Sequence, residues 1–307
     1  MTILFGGGEL PSFNRFNAIE TTVAGSFRAP ARCGVHVRKG GWLSARFTTA
    51  NELWFHLDIR MELFSPSSQP ISVRNSQGTV LFSINSDGTI RVGNTLIGTA
   101  NIFTTGLFTL DIRLRTGSSG IVELYADKQI IFSASGNFTF TGMNTLMLAP
   151  TGSDASENTN TVYSQVVVAD EPTIGFQLAT LAITGAGDSS QWVGSFEQIN
   201  EVVTNDNTFI NTSTAGQINT FQIEDLNSQY SNIKAVIISA LGRFAQVGPK
   251  NLDAVIRLSG TNYLTPMTPL GSGFTASQAV LHANPATFNP WNISEVNNAQ
   301  MGIRSKV

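Results

Sequence analysis

Residues 53–64, with the sequence LWFHLDIRMELF, determine the fold class, because apolar and other side chains alternate along the whole stretch. The apolar positions run from Leu53 to Leu63 at every second residue, and the intervening positions hold most of the polar side chains. A period of two is typical of a β-strand that buries one face. Leu107 to Arg115 repeats the pattern. Both segments are therefore predicted to be half-buried strands.

Turn residues separate the shorter apolar runs. Asn75–Gly78, Ser86–Gly88 and Ala126–Lys128 each stand between two such runs. Glycine accepts a positive φ at little cost, so the first two segments predict hairpin turns with a clear physical reason. A sustained 3.6-residue apolar stripe is missing. Short strands joined by turns predict an all-β chain of sandwich or jelly-roll type with little helix.

Composition narrows the class of protein. The chain has 307 residues, of which 41% are hydrophobic and 13% charged, and its formal net charge is −3. That length predicts two domains. The apolar content argues against disorder, and the small negative charge argues against a nucleic-acid-binding protein. Cys33 is the only cysteine, so a disulfide scaffold is excluded. Neither a signal peptide nor a membrane helix is expected.

The domain boundary is predicted at Asp170–Thr173, because Pro172 cannot donate to a strand ladder. Residues 1–12, which include Gly6–Gly8, are expected to form a flexible arm, and 13–170 a jelly roll. Residues 171–307 are expected to form a second β-sandwich. Its strand candidates are Gln217–Ile223, Ile233–Ala240, Ala254–Ser259 and Gln278–His282. One short helical turn is predicted near the end, with Asn292 as N-cap and Glu295 as its capping-box partner.

The first domain resembles laminin G-like, or concanavalin-type, jelly rolls. The similarity rests on Leu107–Leu114 and Ile121–Asp127, which match that family's strand–turn–strand pattern. Phe108 stands near the family's usual Trp, and Lys128 replaces the Gly of its Asp-Gly turn. The resemblance implies a jelly-roll fold over about residues 10–170.

The rest of the chain is similar to structural proteins of tailed bacteriophages. The segments that carry this similarity are Tyr163–Gly175, Gly187-Asp188 with Trp192, Asn284–Thr287 with Trp291, Glu295–Asn297 and Met301–Ile303. It implies a non-enzymatic virion component, such as a decoration, fibre-like or tail accessory protein, assembled in the host cytoplasm. Its implied partners are copies of itself, preferably as a trimer, and other virion proteins. No cofactor, membrane or specific nucleic acid is expected.

The alternative interpretation is a lectin-like adhesin that binds host surface polysaccharide through the first domain. If the strands around Leu57 and Leu110 share a sheet, their polar side chains would form one surface. The glycan-binding candidates on that surface are Trp54, His56, Asp58, Arg60 and Arg113. Hydrolysis there is disfavoured, because Asp58 and Glu62 would lie roughly 13 Å apart on a strand, beyond the separations glycosidases use.

Two further groups of residues are candidates for contacts. The segment 21–51 contains five basic residues and no acidic one, which suits an interface. The interface candidates are Phe5, Arg28, Arg32, Arg38, Lys39, Trp192 and Trp291. The two tryptophans would serve equally well as core residues. Asp87 and Asp154 could each offer an oxygen to Ca²⁺, although turn formation explains both. The three histidines are too dispersed to form a zinc site.

Overall fold

The computed structural model describes residues 2–22, 25, 27–61, 68–102, 106–149, 161–230 and 232–307, apart from the side chain of Lys39. This part of the chain is almost all β, which confirms the predicted fold class. It divides into two compact units, unit 1 at Met1–Ala179 and unit 2 at Thr180–Val307. The division thus falls after Ala179, whereas the sequence placed it at Asp170.

Unit 1 is one antiparallel sheet in the described residues. Its strands in chain order are β1 (Ile3–Gly7), β2 (Asn14–Thr21), β3 (Gly34–Arg46), β4 (Glu52–Met61), β5 (Ile71–Arg74), β6 (Val80–Ile84), β7 (Thr89–Val92), β8 (Thr95–Thr99), β9 (Leu107–Arg115), β10 (Gly117–Ala126), β11 (Gln129–Phe138), β12 (Thr145–Leu148) and β13 (Thr161–Ala169). The spatial order is β11-β10-β9-β4-β13-β3-β12-β5-β6-β7-β8. In addition, β1 pairs with β13 and β2 with β3.

The core of unit 1 lies against the alternating residues that the sequence identified. Leu53, Phe55, Leu57 and Ile59 of β4 are fully buried and belong to a single apolar cluster. The other face of β4 is covered as well, because Trp54, His56 and Asp58 are also buried. The prediction that this strand is only half-buried is therefore wrong. The end of the predicted strand, residues 62–64, lies outside the described residues.

Residues 1–12 do not form the flexible arm that the sequence predicted. Ile3–Gly7 is strand β1 and pairs antiparallel with β13. Phe5 is 3% exposed and its ring lies 5.4 Å from that of Phe13. The apolar side chains before the glycines thus enter the core of their own unit. Phe5 is therefore corrected from an interface candidate to a core residue.

The turns follow the residues that predicted them, with one departure. Gly78 and Gly88 have the positive φ values expected of turn glycines. The turn between β10 and β11 is made by Asp127 and Lys128, with φ of 46° and 70°. A tight two-residue turn therefore forms although Lys128 stands where glycine is favoured, and Lys128 adopts the left-handed conformation without glycine's freedom.

Unit 2 has a smaller core. Its elements are β14 (Ile183–Ser190), β15 (Ile218–Ile223), β16 (Val236–Gly242), β17 (Asn251–Leu258), β18 (Thr261–Pro266), β19 (Thr275–Leu281), α1 (Ile293–Asn297) and β20 (Gln300–Lys306). One sheet has the order β14-β15-β20-β17-β18, and β16 pairs with β19. The predicted cap is confirmed, because Asn292 Oδ1 accepts the N–H of Glu295 at 2.9 Å.

Trp291 is a core residue of unit 2, so its assignment as an interface candidate is corrected. It is 4% exposed, and its indole N–H donates to the carbonyl of Leu281 at 3.0 Å. Trp192 is half-buried against the same core and donates its indole N–H to the carbonyl of Gln217 at 3.1 Å. Both indoles satisfy their polar group within the unit, as buried tryptophans usually do.

Candidate functional site

Strands β4 and β9 are direct neighbours, which brings the polar side chains of the two predicted strands onto one face. The register places His56 opposite Asp111, Asp58 opposite Thr109 and Trp54 opposite Arg113. Opposite residues in an antiparallel pair point to the same side of the sheet. The condition that the glycan-binding interpretation required is therefore met. The segment that follows β13 runs over part of this face, since Thr173 contacts Asp111.

His56 is held by a buried carboxylate. Its Nδ1 lies 2.9 Å from Oδ1 of Asp111, and the hydroxyl of Thr173 donates to the same oxygen at 2.7 Å. Asp111 is fully buried, and its Oδ2 accepts no hydrogen bond from the described residues. A carboxylate that accepts from one ring nitrogen fixes the tautomer and orientation of the imidazole. Nε2 is then the ring nitrogen left for other contacts.

Asp58 is fixed by two neutral donors. The Thr109 hydroxyl donates to Oδ1 at 2.6 Å, and Nε2 of Gln165 donates to Oδ2 at 2.7 Å. Gln165 in turn accepts the N–H of Leu178 at 3.1 Å through its own Oε1. Gln165 reaches Asp58 from a bulge in β13, where its φ is 51°. β-Bulges re-aim side chains in this way beside functional sites.

Arg28 contacts the same face through Thr109 and also reaches the β10–β11 turn. Its guanidinium donates to the Thr109 hydroxyl at 3.0 Å, to Asp127 Oδ1 at 2.8 Å and to the Leu107 carbonyl at 2.9 Å. Partial burial raises the pKa of Asp127, but hydrogen bonds from Arg28 and from the Thr109 N–H lower it more, and the pKa lies below its usual value. Arg28 was predicted as an interface residue, yet it belongs to this site.

These side chains line a cleft of about 180 Å³ in unit 1. Its lining residues are Arg28, Ala29, His56, Asp58, Thr109, Lys128, Gln165, Gly175, Phe176 and Gln177. Lys128 approaches from the β10–β11 turn, and its Nζ would lie 3.9 Å from a Cβ placed on Gly175. Phe176 supplies an apolar wall. The cleft therefore combines polar groups fixed by hydrogen bonds, the ammonium group of Lys128 and one aromatic ring.

Three of the five predicted glycan-binding residues lie outside this cleft. Trp54 is 5% exposed, stacks on Tyr125 with ring centroids 6.0 Å apart, and lies under the guanidinium of Arg113. Arg113 is bound to Glu52 at 2.7 Å and to Glu123 at 3.1 Å. Trp54 is therefore corrected from a sugar-stacking residue to a packed one.

Arg60 is half-buried on β4 opposite Leu107 and is not among the cleft residues.

The basic interface candidates have separate environments. Arg32 forms an ion pair with Glu9 at 3.4 Å and is only 19% exposed. Arg38 is exposed on β3. The side chain of Lys39 lies outside the described residues. Arg32 and Arg38 are not among the residues that line the cleft with Arg28.

Metal binding has no support in the described part of the chain. Oδ1 of Asp87 accepts from the N–H and hydroxyl of Thr89, at 2.9 and 2.7 Å, which is a turn contact. Asp154 and Glu62 lie outside the described residues. The described side chains include no group of three or more His, Cys, Asp or Glu that would hold a metal ion. Among the described helices, none is long and apolar enough to cross a membrane.

Sequence reasoning did not identify Thr109, Lys128, Gln165, Phe176 or Gln177 as site residues. Thr109 carried a signal, because it lies on the polar side of the alternation in β9. Lys128 carried one as well, since it departs from the glycine expected in its turn. The bulge that directs Gln165 has no signature in the sequence, and Phe176 reaches the cleft only through the path of the chain after β13.

Comparisons with known proteins give remote likenesses. No protein family and no curated protein matches the sequence. A cellulose-induced protein matches with 10% identity and a TM-score of 0.41, over 52% of this chain and 91% of that chain. An endo-β-1,4-glucuronan lyase from Trichoderma reesei matches with 9% identity and a TM-score of 0.40, over 54% of this chain and 94% of that chain. Botulinum neurotoxin type C matches with 8% identity and a TM-score of 0.40, over 99% of this chain and 98% of that chain.

Two expectations change with these comparisons. The prediction that the chain is not an enzyme is wrong as a conclusion, because the matched structures include glucuronan and alginate lyases. At these identities the likeness assigns no activity to this chain. The comparisons are with jelly-roll and sandwich-like β folds, and they do not show a bacteriophage origin. The site itself therefore carries the functional argument.

Proposed function

We propose that unit 1 is a carbohydrate-binding module and that its ligand lies in the cleft between β4, the β10–β11 turn and the segment 173–178. The observation that carries the proposal is the set of polar groups fixed in advance by one another. Asp58, Thr109 and Gln165 are joined by hydrogen bonds of 2.6 and 2.7 Å. Fixed donors and acceptors beside an apolar wall suit a ligand with hydroxyl groups and C–H faces.

Lys128 supports the same function through its backbone. A left-handed conformation costs a non-glycine residue roughly 1–2 kcal/mol, and Lys128 has a φ of 70°. Strain of this kind is typically retained where the side chain has a role. The Lys128 side chain lies over Gly175 at the edge of the cleft. Its ammonium group is thus placed to donate to a ligand oxygen.

The virion location, the viral partners and the trimer inferred from sequence resemblance stay predictions. The cleft argues for glycan recognition independently of them. His56 is the cleft residue that Asp111 orients through Nδ1, in the manner of an acid–base group. Binding is the step that the fixed groups explain directly.

The test is calorimetric titration of the full chain with neutral and acidic oligosaccharides, using cellohexaose, alginate hexamer and oligoglucuronate as probes. Lys128→Asn is the informative variant, because Asn tolerates the left-handed conformation and the change removes the ammonium group and the side chain that carries it over the cleft. We expect about a tenfold loss of affinity, equivalent to about 1.4 kcal/mol, with an unchanged or higher melting temperature. Lys250→Asn, in unit 2, is the matched control.

Two results would overturn the proposal. One is the absence of binding by every probe at millimolar concentration. The other is binding that Lys128→Asn and Phe176→Ala both leave unchanged, since the ligand would then lie elsewhere. A loss of affinity in the Lys250→Asn control would indicate a charge effect of the whole chain rather than a contact in the cleft.

A further inference from the structure

Strand β11 is an end strand of the unit 1 sheet. It has the sequence QIIFSASGNF over Gln129–Phe138, with neither a charged residue nor a proline. Among the described residues it pairs only with β10. Ile130 and Ile131 are 55% and 37% exposed. A long, uncharged edge presents unpaired backbone groups that favour pairing with another strand.

Three other end strands are protected, whereas β16 and β19, which pair only with each other in the described residues, are uncharged strands of seven residues. β8, at the opposite end of the unit 1 sheet, has five residues. In unit 2, β14 carries Asp188 and two register irregularities, and β18 has six residues and ends at Pro266. Shortness, charge, bulges and proline are the usual devices that block edge-to-edge pairing. β11 has ten residues, and its register with β10 is irregular at Ile131 and again beyond Gly136, so the regular part of this edge is Phe132–Gly136, which has neither charge nor proline.

The side chains on the inner face of β11 fix the position of the strand. Phe132 packs so closely over β8 that a Cβ on Gly98 would lie 2.5 Å from its ring. Phe138 packs closely over Gly120 of β10, where an added Cβ would lie 2.8 Å from its ring. Inner side chains therefore anchor the strand at two points, while Ser133, Ser135 and Asn137 stay exposed. A template that is already rigid loses little entropy when it pairs.

We propose that β11 pairs antiparallel with β11 of a second copy of this chain, about a two-fold axis, and so continues the sheet across a dimer. A second copy is the fitting occupant because an uncharged strand meets no like-charge repulsion when it faces itself. The centre of the strand, Ser133–Gly136, has small side chains that let two backbones approach. A two-fold interface uses the same patch on both subunits, which an antiparallel strand pair satisfies.

The sharpest variant is Ser135→Lys. Near a two-fold axis the two new ammonium groups would lie close to each other, and like charges facing across strands are destabilising. Ser135 is opposite Ile121, which cannot neutralise the new charge, whereas Ser133 is opposite Glu123, which would. Ser190→Lys, on edge strand β14 of unit 2, introduces the same charge at another exposed edge position.

The measurement is the mass in solution, by light scattering and sedimentation velocity over a range of concentrations. We expect the unchanged chain to have about twice the monomer mass of 32.9 kDa. Ser135→Lys should weaken the dimer by about tenfold or more, and Ser190→Lys should leave it intact. Hydrogen exchange adds a second measure, because amides between Ser133 and Asn137 should exchange faster in Ser135→Lys. Far-UV circular dichroism checks that each variant is folded.

A monomer at all concentrations would overturn the proposal, and so would a trimer, which the two-fold pairing of single edges cannot form. A dimer that Ser135→Lys leaves unchanged would place the interface elsewhere. Glycan binding plays no part in this test, so the dimer and the cleft can succeed or fail separately.

Discussion

The two units of this chain are stabilised in different ways. The described residues of unit 1 contain one cluster of 36 buried apolar side chains, whereas those of unit 2 contain a cluster of 11. In unit 2, buried amide and hydroxyl side chains bind the backbone instead, as Asn219 and Ser305 do. A large core positions the strands beneath the cleft rigidly, and sites on such elements keep their geometry better than sites on loops.

The largest expected effect is in the unit 1 core. Phe55→Ala removes a fully buried ring that packs edge-on against Phe47 at 5.9 Å. We expect the free energy of unfolding of unit 1 to fall by about 3–5 kcal/mol. Hydrogen exchange measured at increasing urea concentrations gives the unfolding free energy of each unit separately.

The matched control lies in unit 2. Phe221 of β15 is 6% exposed but does not belong to the unit 2 apolar cluster. Phe221→Ala should therefore cost less than Phe55→Ala. An equal or greater loss at Phe221 would contradict the distinction between the two cores.

The difference between the units also explains how far the sequence could predict the fold. In unit 1, the alternation around Leu57 and Leu110 identified β4 and β9, since period two directly reflects the side of the sheet. In unit 2 the alternation is weaker, and β14, β18 and β20 were missed because residues such as those of ITGAGDSS are small and polar. Their strands depend on neighbours rather than on their own apolar pattern.

The candidate site was predictable only in part, for a related reason. Alternation placed His56 and Asp58 on the polar face, and both line the cleft. It could not show that Trp54 on the same face would be covered by Tyr125 and Arg113. Nor could it show that Gln165 would leave the strand register. Face assignment follows from local sequence, whereas cover and bulges depend on distant parts of the chain.

The next effect concerns Glu9, an acidic side chain that unit 1 partly buries. Burial raises the pKa of Glu9 to about 7 from a usual 4.5, Arg32 lowers it, and Glu20 raises it again. Between those two pH values the folded state keeps a proton that the unfolded state has lost. Stability therefore falls as pH rises from about 4.5 to about 7, by up to ~3 kcal/mol, and the cost persists at higher pH.

Glu9→Gln tests this pH dependence because it keeps the shape and removes the titration. We expect the variant to exceed the unchanged chain in unfolding free energy at pH 8 and to match it near pH 4.5. At each pH, the unfolding transition of unit 2 should be the same in the variant and in the unchanged chain. If the difference between variant and unchanged chain does not vary with pH, Glu9 is not the group that titrates.

The smallest of these effects tests the polar stabilisation of unit 2. Oδ1 of Asn219 accepts the backbone N–H groups of Gln191 at 2.7 Å and Trp192 at 2.8 Å, and the residue is 2% exposed. Gln191 also donates to the carbonyl of Ile218, so Asn219→Ala deprives chiefly Trp192 of its partner. One unpaired buried donor costs about 1–3 kcal/mol, and we expect the unfolding free energy of unit 2 alone to fall by about 2 kcal/mol.

Asn207→Ala, at an exposed position, is the control and should change the unfolding free energy by less than about 0.5 kcal/mol. If the two variants were equally stable, side-chain hydrogen bonds to the backbone would not be what compensates unit 2 for its small core.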